Sequence, residues 1–279
     1  MDSAASLARA AFALYEEEIS EPDTMHVATL ERIADCLWCS RDYDSYFRVM
    51  WQRVECLEKG FGPNDLRTLE ALLGLGKSYK EQTRFGEAIS VFHRVRDGLE
   101  HSADPDSSLL DGMLLSLAHS CLEQGSYAEA ESSLTRLFSI LEKKSSPDFD
   151  CLWCAFHELA SLRLEQGMYA AAESSLTVAL KLCHESTEPK PTLLAPTLND
   201  LGLICFKTGR YVEAETLYVE AMEMWESAGS PGGVASALNN LGASITRRGD
   251  MKRLFSAMNA LFSFAESLSA QIIQKLRAA

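Results

Sequence analysis

The sequence predicts an all-α solenoid of six stacked helix pairs, closed by a helix at each end. Three observations predict it. Prolines fall at Pro63, Pro105, Pro147, Pro189 and Pro231, each 42 residues after the last, with Pro22 standing 41 residues before the first. The segment LEQGSYAEAESSLT, Leu122 to Thr135, returns as LEQGMYAAAESSLT at Leu164 to Thr177, again displaced by 42. The small residues Ala34, Gly76, Ala118, Ala160 and Gly202 keep the same spacing, and Gly242 follows after 40. A fixed period of this length is the mark of a repeat architecture, in which each unit buries its apolar face against its neighbours.

The elements follow in chain order. Residues 1–20 read as an amphipathic helix capping the array; 3–18 align as a lone second helix. Asp2 stands where a secretory signal would carry Lys or Arg, and the run leads into Glu16-Glu17-Glu18, so this stretch is expected to belong to the mature protein. Six repeats are expected over 25–268. Each reads as a first helix, a turn and a second helix. Leu198, Leu201 and Cys205 give the first helix its apolar face at close to helical spacing, within Leu193 to Phe206. Gly125-Ser126-Tyr127, Gly167-Met168-Tyr169 and Gly209-Arg210-Tyr211 supply the turns, since glycine ends a helix in the left-handed conformation without a steric penalty. The second helix, as in Val212 to Trp225, carries Ala214, Leu217, Tyr218, Ala221 and Met224 on one face. Twelve residues after each small residue comes a second such position: Tyr46, Ala88, Ala130, Ala172, Ala214 and Leu254. Two helix backbones approach to about 8 Å only over small side chains. Each polar loop then brings a proline, which stops the helix before it. Residues 263–279 are expected to cap the far end.

The pattern resembles the tetratricopeptide repeat (TPR) family. The residues that carry the resemblance are Leu198, Leu201-Gly202, Cys205, Gly209, Tyr211, Ala214, Tyr218 and Ala221, and after them Leu72, Leu75-Gly76, Tyr79, Phe85, Ala88, Phe92 and Val95. The period of 42 and the stretches Leu198-Asn199-Asp200-Leu201-Gly202 and Leu238-Asn239-Asn240-Leu241-Gly242 are similar to the kinesin-light-chain type. The match weakens in the first repeat, at Tyr46, and in the last, where Leu254 and Arg247-Arg248-Gly249-Asp250-Met251 depart from the pattern. The resemblance implies a right-handed solenoid without catalysis of its own, its first helices lining a concave groove.

Cys36-Leu37-Trp38-Cys39 and Cys151-Leu152-Trp153-Cys154 repeat a Cys-x-x-Cys motif. They lie 115 residues apart, which is not a multiple of the period, so they occupy different parts of their helix pairs. Two thiols fall short of the four ligands of a structural zinc, and no strand is expected to make a redox site. The cysteines are expected to pack as small hydrophobes rather than to bind metal.

The composition excludes other classes. Lys and Arg number 26 against 40 Asp and Glu, a net charge of −14, which disfavours nucleic-acid backbones and anionic membranes. No apolar run approaches the roughly 18 residues of a membrane span. No phosphate loop, His-Glu-x-x-His or Gly-x-Ser-x-Gly elbow occurs; the Gly229-Ser230-Pro231-Gly232-Gly233 run lacks a following Lys. No catalytic residue, cofactor or metal is expected, and a cytoplasmic location is.

By the resemblance, Asn199, Asn239, Asn240, His157, Leu164, Leu203, Phe206, Lys207 and Arg247 point into the groove. The asparagines are similar to those that hold a bound peptide's backbone in this type of repeat, an amide offering both donor and acceptor. Trp38, Leu122, Leu164 and Phe206 recur at one repeat position, with Lys80 breaking the series. They either line the groove or pack between first helices. The expected function is a scaffold that binds a protein or peptide segment. The alternative is a regulator in which a small signalling peptide changes the solenoid's pitch.

Overall fold

A computed structural model describes residues 2–18, 24–101, 107–144, 148–185 and 190–249. They form twelve α-helices, a short 3-10 turn and no strand, an all-α solenoid of stacked helix pairs. The chain divides into two compact units, 1–140 and 141–279.

In the first unit α1 spans Asp2–Glu18, α2 Val27–Cys39, α3 Tyr43–Phe61, α4 Leu66–Glu81, α5 Phe85–Glu100, α6 Ser107–Glu123 and α7 Tyr127–Leu141. α1 packs on α2, α2 on α3, α3 on α4, α4 on α5 and α5 on α6. The start of α3 is fixed by Asp42, whose carboxylate accepts the Ser45 N–H at 3.3 Å and pairs with Arg9 of α1 at 2.9 Å. Desolvation opposes ionisation there, but these hydrogen bonds and the Arg9 charge prevail and hold the carboxyl below its ordinary range.

In the second unit α8 spans Phe149–Glu165, α9 Tyr169–Glu185, α10 Pro191–Lys207, α11 Tyr211–Ser227 and α12 Pro231–Arg248. α8, α10 and α12 are first helices and touch along one layer; α9 and α11 pack behind them. Pro191 and Pro231 are not loop residues that merely precede a helix. Each occupies its first turn, where the missing N–H leaves nothing unsatisfied. Pro196 sits inside α10.

The spacing of small residues translates into close helix contacts. A Cβ placed on Gly76 would lie 2.4 Å from the Phe92 ring, and one on Gly202 would lie 2.7 Å from the Tyr218 ring. Ala34, Ala118, Ala160, Ala88, Ala130, Ala172 and Ala214 are buried, as is Tyr46 in the first pair. Gly233, in the first turn of α12, has the same role: a Cβ there would stand 2.2 Å from the Trp225 ring. Gly125, Gly167 and Gly209 close their turns at φ of 82°, 71° and 82°.

Two expectations change. Cys36 and Cys39 are exposed rather than packed, because the buried residue of that stretch is Leu37. In the second copy the ring of Trp153 is the core element, clustered with Ala179 and Cys183, while Cys151 and Cys154 are half-buried. All eight cysteines are free, and no three His, Cys, Asp or Glu side chains converge among the described residues. The last second helix with Leu254 and the cap at 263–279 lie outside the described residues, as do Pro22, Pro105, Pro147 and Pro189. No described helix is long and apolar enough to cross a membrane.

Candidate functional site

All nine groove candidates fall in the second unit, on α8, α10 and α12. Three of them join in one polar ladder through a fourth residue. Asn240 Nδ2 donates to Asn199 Oδ1 at 3.0 Å, linking α12 to α10. Asn199 Nδ2 donates to Asp200 Oδ1 at 3.2 Å. Asp200 Oδ2 meets His157 Nε2 of α8 at 3.0 Å. The His157 ring stacks on Trp153 at 4.9 Å between centroids, and the indole Nε1 donates to Thr197 Oγ1 at 2.9 Å. Thr197 in turn donates to the Leu193 carbonyl at 2.8 Å, so the end of the network is anchored to the backbone of α10.

The helical register explains this meeting. Adjacent first helices lie side by side, so residues about one period apart face one another. Asn199 and Asn240 differ by 41 positions, His157 and Asp200 by 43, and Trp153 and Thr197 by 44. That offset was the signal by which Trp153 and Thr197 were open to detection as members of the site.

The ladder fixes side chains without exhausting them. Each amide nitrogen carries two donors, and one N–H of each asparagine is used within the ladder. A further N–H on each, and the Asn240 carbonyl, have no hydrogen-bond partner among the described residues. Burial disfavours a charged His157. The pairing with Asp200 and the attraction of Asp200 and Glu158 outweigh it, so the imidazole pKa lies above its ordinary value.

The apolar candidates are half-buried, packed against the aromatic that opens the following helix. Phe206 meets Tyr211 edge-on at 5.7 Å and joins the cluster of Cys205, Ala214 and Tyr218. Leu164 packs with Tyr169 against Ala160, Ala172, Leu176, Leu201 and Ile204. Trp38 repeats the arrangement in the first unit, 5.2 Å from Tyr43 and 4.8 Å from Tyr46. Trp38 and Phe206 thus pack on the aromatic that opens the second helix of their own pair, whereas Leu164 also reaches Leu201 and Ile204 of the neighbouring first helix, as packing between first helices requires; all four members of the series are half-buried. Leu203 is half-buried. Asn239, Lys207 and Arg247 are exposed and stand apart from the ladder.

Residues 193–253 match the tetratricopeptide repeat family model. No curated protein matches the sequence. Among solved structures, BtubC (BKLC) from P. vanneervenii is 17% identical with a TM-score of 0.62, over 88% of this chain and 91% of that one. A Podosopora anserina protein of nearly identical TPR-like repeats, named as a kinesin light chain, is 16% identical with a TM-score of 0.60, over 75% and 98%. A Rap protein complexed with competence and sporulation factor is 13% identical with a TM-score of 0.58, over 95% and 77%. These likenesses concern the fold.

Proposed function

Taking as premise a chain that carries tetratricopeptide repeats in an α-solenoid, we propose that it is a non-catalytic interaction scaffold. It binds an extended peptide or partner segment across α8, α10 and α12. The supporting observation is the ladder of His157, Asp200, Asn199 and Asn240, which runs over three adjacent first helices and leaves amide donors and an acceptor without a partner among the described residues. Such groups match the backbone of an extended chain irrespective of its sequence. Leu164, Leu203 and Phe206 offer partly open apolar edges to the partner's side chains, and Asn239, Lys207 and Arg247 form the polar rim.

The test is affinity capture from source-cell lysate, read by mass spectrometry, with wild type and an Asn199→Ala/Asn240→Ala variant in parallel. The expected result is a partner enriched by wild type and lost with the variant, whose helical circular dichroism is unchanged. Equal capture by both proteins removes the ladder from the binding site.

A second reading, a regulator gated by a small signalling peptide, draws support from the likeness to a Rap protein complexed with competence and sporulation factor. Compaction in small-angle scattering on adding the captured partner's binding segment distinguishes it from a passive scaffold.

A further inference from the structure

The first unit contains a cleft separate from the ladder. α2 and α4 are the first helices of successive pairs and flank α3. α4 packs directly on α6, but between α2 and α4 a cavity of about 600 Å3 opens, within the size range of ligand sites. Its cause is Tyr46, which stands where the next second helices carry Ala88 and Ala130. Its ring leans on Trp38 of α2, 4.8 Å between centroids, and its hydroxyl meets Ser78 Oγ of α4 at 2.7 Å. Ser78 gives its own proton to the Gly74 carbonyl at 3.1 Å, so the Tyr46 hydroxyl is the donor. The side chain spans the gap between two helices that elsewhere close over alanine.

The chemistry of the cleft is uneven. Met50 and Leu57 give it a buried apolar floor. Its two arginines each pair with a carboxylate, Arg53 with Glu31 at 3.4 Å through a terminal guanidinium nitrogen while its Nε stays buried without a partner, and Arg67 with Asp65 at 2.8 Å and over the Phe61 ring. Asp35 on the α2 wall and Glu70 on the α4 wall pair with no cation among the described residues. The wall is bare at Gly74, where a Cβ would meet nothing within 4 Å. Residues 1–140 carry 24 Asp and Glu against 13 Lys and Arg, so the surrounding field also favours a cation.

We propose that this cleft seats an extended basic segment of a partner polypeptide. A lysine or arginine side chain reaches Asp35 and Glu70, and an apolar neighbour lies on Met50 and Leu57. The site is independent of the Asn199–Asn240 ladder, so either can fail without the other.

The test uses the full chain and two labelled probes, an acetylated pentapeptide of alternating alanine and lysine and its glutamate counterpart, with fluorescence anisotropy as readout. The lysine peptide is expected to bind and the glutamate peptide not, with affinity falling as salt rises. Asp35→Asn/Glu70→Gln is expected to weaken binding about tenfold or more. Gly74→Leu fills the cleft from an open position and is expected to abolish binding with no loss in melting temperature. Asn199→Ala/Asn240→Ala is expected to bind the lysine peptide as wild type does. Absence of lysine-peptide binding, equal binding of the glutamate peptide, or undiminished binding by Gly74→Leu overturns the proposal. Loss of binding in the double asparagine variant also overturns it and moves the peptide to the ladder.

Discussion

Thr83 closes the turn between α4 and α5 at a φ of 56°, and Arg41 closes the preceding turn at 62°, in the left-handed region that later turns assign to Gly125, Gly167 and Gly209. A β-branched side chain is costly there, about 1–2 kcal/mol, against a smaller entropic cost for glycine. Thr83→Gly is expected to stabilise the protein by about 0.5–1 kcal/mol, read as an upward shift of the urea midpoint. The glycine turns were legible in the sequence. These two were not, because Arg41-Asp42-Tyr43 and Thr83-Arg84-Phe85 contain no glycine to mark them. A second residue-scale prediction concerns His157, which faces Asp200 and Glu158 and has a raised pKa in the folded state. Its stabilising contribution is therefore fully present below the unfolded value of about 6.5 and is lost as pH rises through the higher folded value. The stability difference between wild type and His157→Gln, measured by urea unfolding, is expected to be larger at about pH 6 than at about pH 8.

At the scale of elements, the position of each helix follows from what lies beneath its small residues. Ala172 is fully buried with Ala160, Leu176, Leu201 and Ile204, where α8, α9 and α10 meet. Ala172→Leu is expected to overpack this junction and cost about 1–3 kcal/mol, seen as a lower melting temperature. The same reasoning makes Tyr46 informative: its departure from the alanine series was visible in the sequence, whereas the opening between α2 and α4 required the hydroxyl contact to Ser78. Second helices are joined across repeats by ion pairs at an offset of 36 residues: Arg94 with Glu58, and Arg136 with Glu100 at 3.0 Å. Such exposed pairs contribute about 0–1 kcal/mol each and align the helices more than they stabilise them.

For the molecule as a whole, the period announced the architecture because a repeat forces the same burial problem to the same solution each time. The site was only partly legible for the converse reason. The candidate site is built from what differs between repeats, such as Asn199, Asn240 and His157, and whether those residues meet depends on helix placement rather than on the period itself. The tryptophans have a practical consequence. Trp38 and Trp51 belong to residues 1–140, and Trp153 and Trp225 to residues 141–279, so each unit carries its own pair of intrinsic fluorophores. Trp153 is buried and stacked on His157, and a protonated imidazole in contact with an excited indole accepts an electron and quenches it. With the other three tryptophans replaced by phenylalanine, the protonation state of the ladder becomes readable as emitted light, without an attached dye.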